Sequence, residues 1–299
     1  MFELMISSLL TSMLLLGLAA SIYLILQITR SIEDLNYAQS RAEMVLAILR
    51  QPAEHCGYGL PKSAEKYRNA FDGRTSPFSW NGPLTIDAMN GKENAVCKIA
   101  YAVRTFVRTM DETEISEYTV KLHVASVPSS IGYENELKTD DINDWLLFGA
   151  MLPDCWPVRV WGRPEIQPDG SAKLPVKLNT SLPDGDKAMI PENDELFALR
   201  AMECKVLKKN EDYVFTTNDY TGSGAQPRVE GVIDVRFDLG GGGRLLKVSI
   251  LTRGKWRHDG IVTDGIPKGW PEKYATAIPE AARHYRLVAN QASFELKNF

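Results

Sequence analysis

Apolar residues are packed most densely at the start of the chain. From Leu4 to Ile28 the sequence reads LMISSLLTSMLLLGLAASIYLILQI, without Asp, Glu, Lys, Arg or Pro. A bilayer core of about 30 Å takes about 20 such residues at 1.5 Å per residue, so the run predicts one transmembrane helix over 4–28. Ser7, Ser8, Thr11, Ser12, Ser21 and Gln27 dilute it, but hydroxyls can bond back to the carbonyls of their own helix. The run is longer than the core of a signal peptide and lacks a basic leading segment. Glu3 stands at its head, where a carboxylate is favourable to the helix dipole but costly in lipid unless it reaches the interface or meets a cation.

After Ile28 the pattern turns one-sided. Ile32, Leu35, Ala38, Ala42, Val45, Leu46 and Leu49 recur at spacings of three and four, with Arg30, Glu33, Asp34, Arg41, Glu43 and Arg50 between them. That is an amphipathic helix over 29–51 continuing directly from the apolar one, with one face to bury. Pro52, Gly57 and Gly59 end it. The rod predicted over 3–51 is roughly 70 Å long.

From residue 52 to 299 the chain changes to short runs of β type between turn signals. Expected strands are Val96–Val107, Glu117–Val127, Pro157–Trp161, Glu195–Leu207, Tyr213–Thr217, Val229–Asp238, Arg244–Thr252 and His284–Lys297. Val120, Leu122 and Val124 alternate with Lys121 and His123, the period of a half-buried strand. Gly240–Gly243 reads as a hairpin loop, and Pro168-Asp169-Gly170 and Pro183-Asp184-Gly185 as surface turns. The expected class is α+β, a long N-terminal helix packed on one mainly antiparallel β domain.

Charge narrows the function. Lys and Arg total 34 against 38 Asp and Glu, a net charge of −4, which supplies no footprint for nucleic acid. Trp256 with Lys255, Arg257 and His258 is the nearest thing to a basic aromatic patch, and Asp259 follows it. Cys56, Cys97, Cys155 and Cys204 form an even, widely spaced set with no zinc or haem spacing. In a domain held outside the cytoplasm they read as two disulfides, with Cys56–Cys97 and Cys155–Cys204 the chain-order pairing among three possibilities. Arg30 alone, by the positive-inside rule, would put the domain in the cytoplasm; the cysteines argue for the periplasm, and the expectation follows them.

Motifs of catalysis are missing. Gly240–Arg244 lacks the Gly-Lys-Ser/Thr of a phosphate loop, and G-x-S-x-G, H-E-x-x-H and G-x-G-x-x-G are absent from any strand–turn–helix setting. His123 reads as a solvated strand histidine. Asp184, Asp186, Glu192, Asn193, Asp194 and Glu195 read as a solvated acidic loop, since they miss the spacing of a calcium loop. No enzyme activity, cofactor or metal site is expected.

Three segments resemble type IV pilin-like proteins. Phe2-Glu3-Leu4-Met5-Ile6 is similar to the start of mature pilins, and AEMVLAILRQPAEHCGYGLP, Ala42 to Pro61, to the helix exit of W-type minor pilins. The end, YRLVANQASFELKNF from Tyr285 to Phe299, resembles the terminal strand of W-type minor pilins and J-type type II secretion pseudopilins. Residues 62–225 match nothing. The resemblance implies that the family's first residues lie just upstream of Met1, and that Glu3 pairs with the N-terminal amine of a neighbouring subunit. The missing helix-bending proline points to a minor member. Implied is a non-enzymatic subunit of the inner membrane with a periplasmic domain, which primes or caps a type IV pilus or a type II secretion pseudopilus. Its partners would be other minor pilins or pseudopilins, the major subunit and, before assembly, membrane lipid. The competing expectations are a single-pass anchored enzyme or ligand-binding domain, and a tip adhesin.

Overall fold

The computed structural model describes residues 2–58, 60, 64–70, 80–87, 95–116, 118–127, 145–149, 158–160, 162, 164–178, 188–209, 212–219 and 224–296. One helix, α1 (Phe2–Glu54), runs unbroken for 53 residues, about 80 Å at 1.5 Å per residue. It passes Pro52, three residues beyond the expected end. A proline so near the C-terminus costs little, because only the last turn could lose a hydrogen bond to it. Past the helix the chain turns at Gly57, whose φ of 69° suits a residue without Cβ. The exit is stitched to a strand: Gly57 N donates to Ala100 O at 3.0 Å, and Cys56 bridges to Tyr101.

A short α2 (Ala64–Ala70) precedes the sheets. The strands are β1 (Leu84–Asp87), β2 (Val96–Arg108), β3 (Thr113–Ile115), β4 (Val120–Val124), β5 (Trp145–Gly149), β6 (Val158–Val160), β7 (Glu165–Ile166), β8 (Ala172–Leu178), β9 (Ala188–Ile190), β10 (Glu195–Lys209), β11 (Asp212–Asp219), β12 (Gly224–Glu230), β13 (Val232–Gly240), β14 (Leu245–Arg253) and β15 (Leu287–Glu295). The large sheet has the order β1-β2-β10-β5-β6-β8-β4, with β11 and β12 branching from β10 and β7 from β8. A three-stranded sheet, β13-β14-β15, and a small pair, β3-β9, complete it. All described pairings are antiparallel. The α+β class is therefore as expected.

Besides short elements that were not expected, two details differ from the sequence reading. The single strand expected over 229–238 is two, because Gly231, with φ 74°, turns the chain between β12 and β13. The face of α1 that docks is also rotated. Asp34, Ala38, Ala42, Val45, Leu49 and Ala53 are buried, whereas Ile32 and Leu35, expected in the stripe, are exposed. The spacings of four, four, three, four and four keep the buried set on one face. Ala42, Val45, Leu49 and Ala53 join Val235, Phe237, Val248 and Ile250 of the three-stranded sheet and Ile99 of β2 in one core. A second core lies on the large sheet around Leu122, Leu174, Val176 and Leu199.

Candidate membrane and assembly site

The first half of α1 is exposed throughout among the described residues. Its most apolar stretch is long and apolar enough to cross a membrane, and none of it is buried. Ser8, Thr11, Ser12 and Ser21 donate to carbonyls three or four residues back, at 2.8–2.9 Å, so their polarity is absorbed within the helix. A Cβ built on Gly17 would meet no atom within 4 Å, which leaves that face open to close approach. Glu3 lies exposed in the first turn, and no described cation pairs with it.

The second half is held by a polar clamp as well as by its apolar stripe. Asp34 is 1% exposed, yet it carries a carboxylate onto the segment after β14. Its Oδ1 accepts the backbone N–H groups of Lys255, at 2.5 Å, and Trp256, at 3.0 Å. A Cβ on Gly254 would overlap that carboxylate, so the strand must end in glycine for Asp34 to reach it. One helical turn on, Thr252 Oγ1 donates to Ala38 O at 2.7 Å. Arg41 Nη1 donates to the carbonyls of Arg253 at 2.7 Å and Gly254 at 3.2 Å, and its guanidinium lies where a Cβ on Gly231 would stand. Burial, followed by the nearby charge of Arg253, holds the Arg41 pKa below its ordinary value. Buried charged hydrogen bonds of this kind fix geometry more than they add net stability. Here they set the rotation and height of the rod against the sheet.

The outer face of the docked half mixes polar and apolar side chains, with Glu33, Asn36, Gln39, Ser40 and Glu43 exposed. Its apolar positions Ile32, Leu35, Tyr37 and Met44 are 41–54% exposed. The loop after β14 presents further apolar surface at Trp256 (48%), Ile261 (56%) and Ile266 (43%). Lys255 Nζ lies 5.5 Å from the Tyr37 ring and 4.8 Å from Trp256. The basic aromatic segment 255–258 therefore belongs to the rod-docking loop.

Of the cysteines, Cys56, Cys97 and Cys204 are buried and none is bonded to another of the three, and Cys155 lies outside the described residues. The expected Cys56–Cys97 bond is not formed. Pairing of β2 with β10 sets Cys97 directly opposite Cys204 instead, with Cys204 Sγ 3.4 Å from Cys97 O. Burial pushes the thiol pKa values of Cys56 and Cys97 up, which suppresses the reactive thiolate.

His123 is not simply solvated. Nδ1 lies 2.8 Å from Asp111 Oδ2 and Nε2 lies 3.1 Å from Ser171 Oγ. That spacing mimics an acid–imidazole–serine relay. The direction of the proton argues otherwise. Ser171 is buried, and its hydroxyl donates to Asp169 Oδ1 at 2.7 Å while its backbone N–H donates to the same oxygen at 3.0 Å. Those bonds hold the Asp169 pKa below the ordinary carboxylate range, so the single hydroxyl proton is committed to a carboxylate. Ser171 thus does not offer its proton to His123 Nε2, as a general base would require. The unit reads as a brace joining β4 to the β7–β8 turn.

In the acidic loop, Asp184 and Asp186 lie outside the described residues, as do Trp156, Trp161, Lys297 and Asn298. Asn193 turns with φ 61°, and the backbone N–H of buried Asp194 donates to Thr109 Oγ1 at 2.9 Å. Among the described residues, no group of three or more His, Cys, Asp or Glu could hold a metal.

Sequence reasoning singled out Glu3 and missed Asp34, Arg41, Thr252 and Gly254. One signal was available, since Asp34 is in phase with Ala38, Ala42 and Val45, an acid set on an apolar stripe. No protein-family model, curated protein or solved structure matches the chain.

Proposed function

We propose that the chain is a non-enzymatic minor subunit of a type IV pilus or type II secretion pseudopilus, anchored by α1 in the inner membrane with its β domain in the periplasm. The observation that carries this reading is the division of α1. One unbroken helix is bare over its apolar half and clamped to a β domain over the rest, with Ile32 and Leu35 exposed where the two halves meet. A plain anchor needs only the bare half. The outward Ile32 and Leu35 have a use when rods of sister subunits pack side by side.

In lipid the bare half is already in an apolar solvent, so association with other rods depends on close packing. Gly17, Ala19, Ala20 and Ser21 supply small residues there. Glu3 adds direction, because an acid in the bilayer centre costs about 2.5–3.5 kcal/mol, less near the interface, and a neighbouring cation relieves it. The membrane state and the filament state then differ by the partner that Glu3 finds.

A deletion strain tests the role. Loss of surface pili or of secretion, restored by the full chain, supports it. Intact filaments and normal secretion contradict it.

A further inference from the structure

Where α1 leaves its apolar half, it forms a groove with the loop after β14, a cavity of about 710 Å³. That is the size of an ordinary small-ligand site, about 300–1,000 Å³. Tyr23, Leu26 and Arg30 line one wall, and Trp256, Arg257 and Arg286 line the other. Asp34, Glu33 and His258 also face it. Three polar atoms of this one groove are buried without a hydrogen-bond partner: Asp34 Oδ2, His258 Nε2 and Arg286 Nε. Asp34 Oδ2 and His258 Nε2 are 3.9 Å apart, too far for a hydrogen bond. An acceptor and donors therefore converge on the same space, within an excess of cationic side chains.

The depth of the groove identifies what it meets. The apolar run over 4–28 is about 37 Å long, against a hydrocarbon core of about 30 Å and a whole bilayer of about 40–45 Å. With Leu4 at one face of that core, Tyr23 stands at the other and Arg30 about 10 Å beyond it, so the groove opens across the headgroup layer, where Tyr, Trp and Arg are the usual residues. Trp256 and Ile261 of the facing loop are exposed at the same end, so that loop rests its apolar side chains on the membrane surface.

We propose that this groove binds the headgroup of one membrane phospholipid of the amine-bearing, ethanolamine type. Arg30, Arg257 and Arg286 take the phosphodiester by charge-assisted hydrogen bonds. The free oxygen of Asp34, with Glu33 beside it, takes the ammonium. The bound lipid fixes the height of the β domain above the bilayer and is exchanged for protein when the rod is withdrawn. The inference rests on α1 spanning the membrane.

The test uses the full chain in detergent, titrated with short-chain phosphatidylethanolamine, phosphatidylcholine, phosphatidylglycerol and inorganic phosphate, with bound lipid counted by native mass spectrometry. One phosphatidylethanolamine per chain is expected, at least tenfold tighter than phosphatidylcholine, whose ammonium has no N–H to donate. Arg257→Gln, at an exposed position, weakens it at least fivefold, and Arg286→Gln does the same. Equal affinity for the ethanolamine and choline lipids, tighter phosphatidylglycerol, displacement by inorganic phosphate at equal concentration, or an unaffected Arg257→Gln variant would overturn it. Carbonate extraction of membranes separates the two readings. A wild-type chain that resists extraction but shows no lipid preference refutes the groove alone, and a chain that is extracted refutes the span and the groove together.

Discussion

The carboxylate of Asp34 stands in the space that a Cβ on Gly254 would occupy. This places the end of β14 against α1 and delivers the N–H groups of Lys255 and Trp256 to Asp34. The two residues are a single fitting: the acid needs the missing side chain, and the glycine is required only because the acid is there.

Gly254→Ala should therefore destabilise the domain by about 2–4 kcal/mol, through overpacking at a buried charge. In an Asp34→Ala background the same change should cost under about 1 kcal/mol, giving strong coupling in a double-mutant cycle. Denaturant unfolding of the detergent-solubilised chain reads both. Additive effects would mean that the two residues act separately.

Asp234 and Arg236 are both nearly inaccessible on β13, with Arg236 Nε donating to Asp234 Oδ2 at 2.7 Å. Burial, opposed by Arg236, pushes the Asp234 pKa up to about 6. Between about pH 4, the ordinary carboxylate value, and about pH 6 the folded chain holds a proton that the unfolded chain has released. Its contribution to stability therefore falls as pH rises through that window and is level above it. The scale is about 3 kcal/mol for two pH units. Asp234→Asn removes this slope. The unfolding free energy of wild type minus that of the variant should decline from pH 4 to pH 7, and a flat or rising difference would contradict the assignment.

Ser171 should resist a fluorophosphonate probe, because its hydroxyl proton goes to Asp169 and not to His123. Mass spectrometry of the treated protein should find Ser171 unmodified at concentrations that label an authentic serine hydrolase. Labelling at Ser171, abolished by His123→Ala, would make the brace a catalytic site and revive the anchored-enzyme reading.

Much of the scaffold was legible because it is written in periodicity. The unbroken apolar run, its passage into a one-sided pattern and the alternation at Val120, Leu122 and Val124 each follow from local spacing. The strands β1, β3, β5, β7 and β9 were not seen, since two to five residues carry too little pattern, and the seven-residue β8 was missed because Pro175 interrupts it. What the sequence concealed most was contact between distant segments. Asp34 meets Lys255 across 221 positions and Arg41 meets Arg253 across 212, and no local rule connects them. Ile32 and Leu35 were assigned to the buried stripe because apolar residues usually decide a docking face. Here an acid with two backbone donors decides it, and turns those two outward.

The claim on which the functional reading turns is that the bare half of α1 trades lipid for sister rods, with Glu3 sensing the exchange. Glu3→Leu tests it in one experiment: membranes and sheared filaments, or the isolated secretion pseudopilus, are probed for wild type and variant. Wild type should be present in both fractions and the variant at equal level in the membrane but at least tenfold depleted from the assembled fraction. A variant that enters the assembly as wild type does, or a wild-type chain absent from any assembly, would contradict the account.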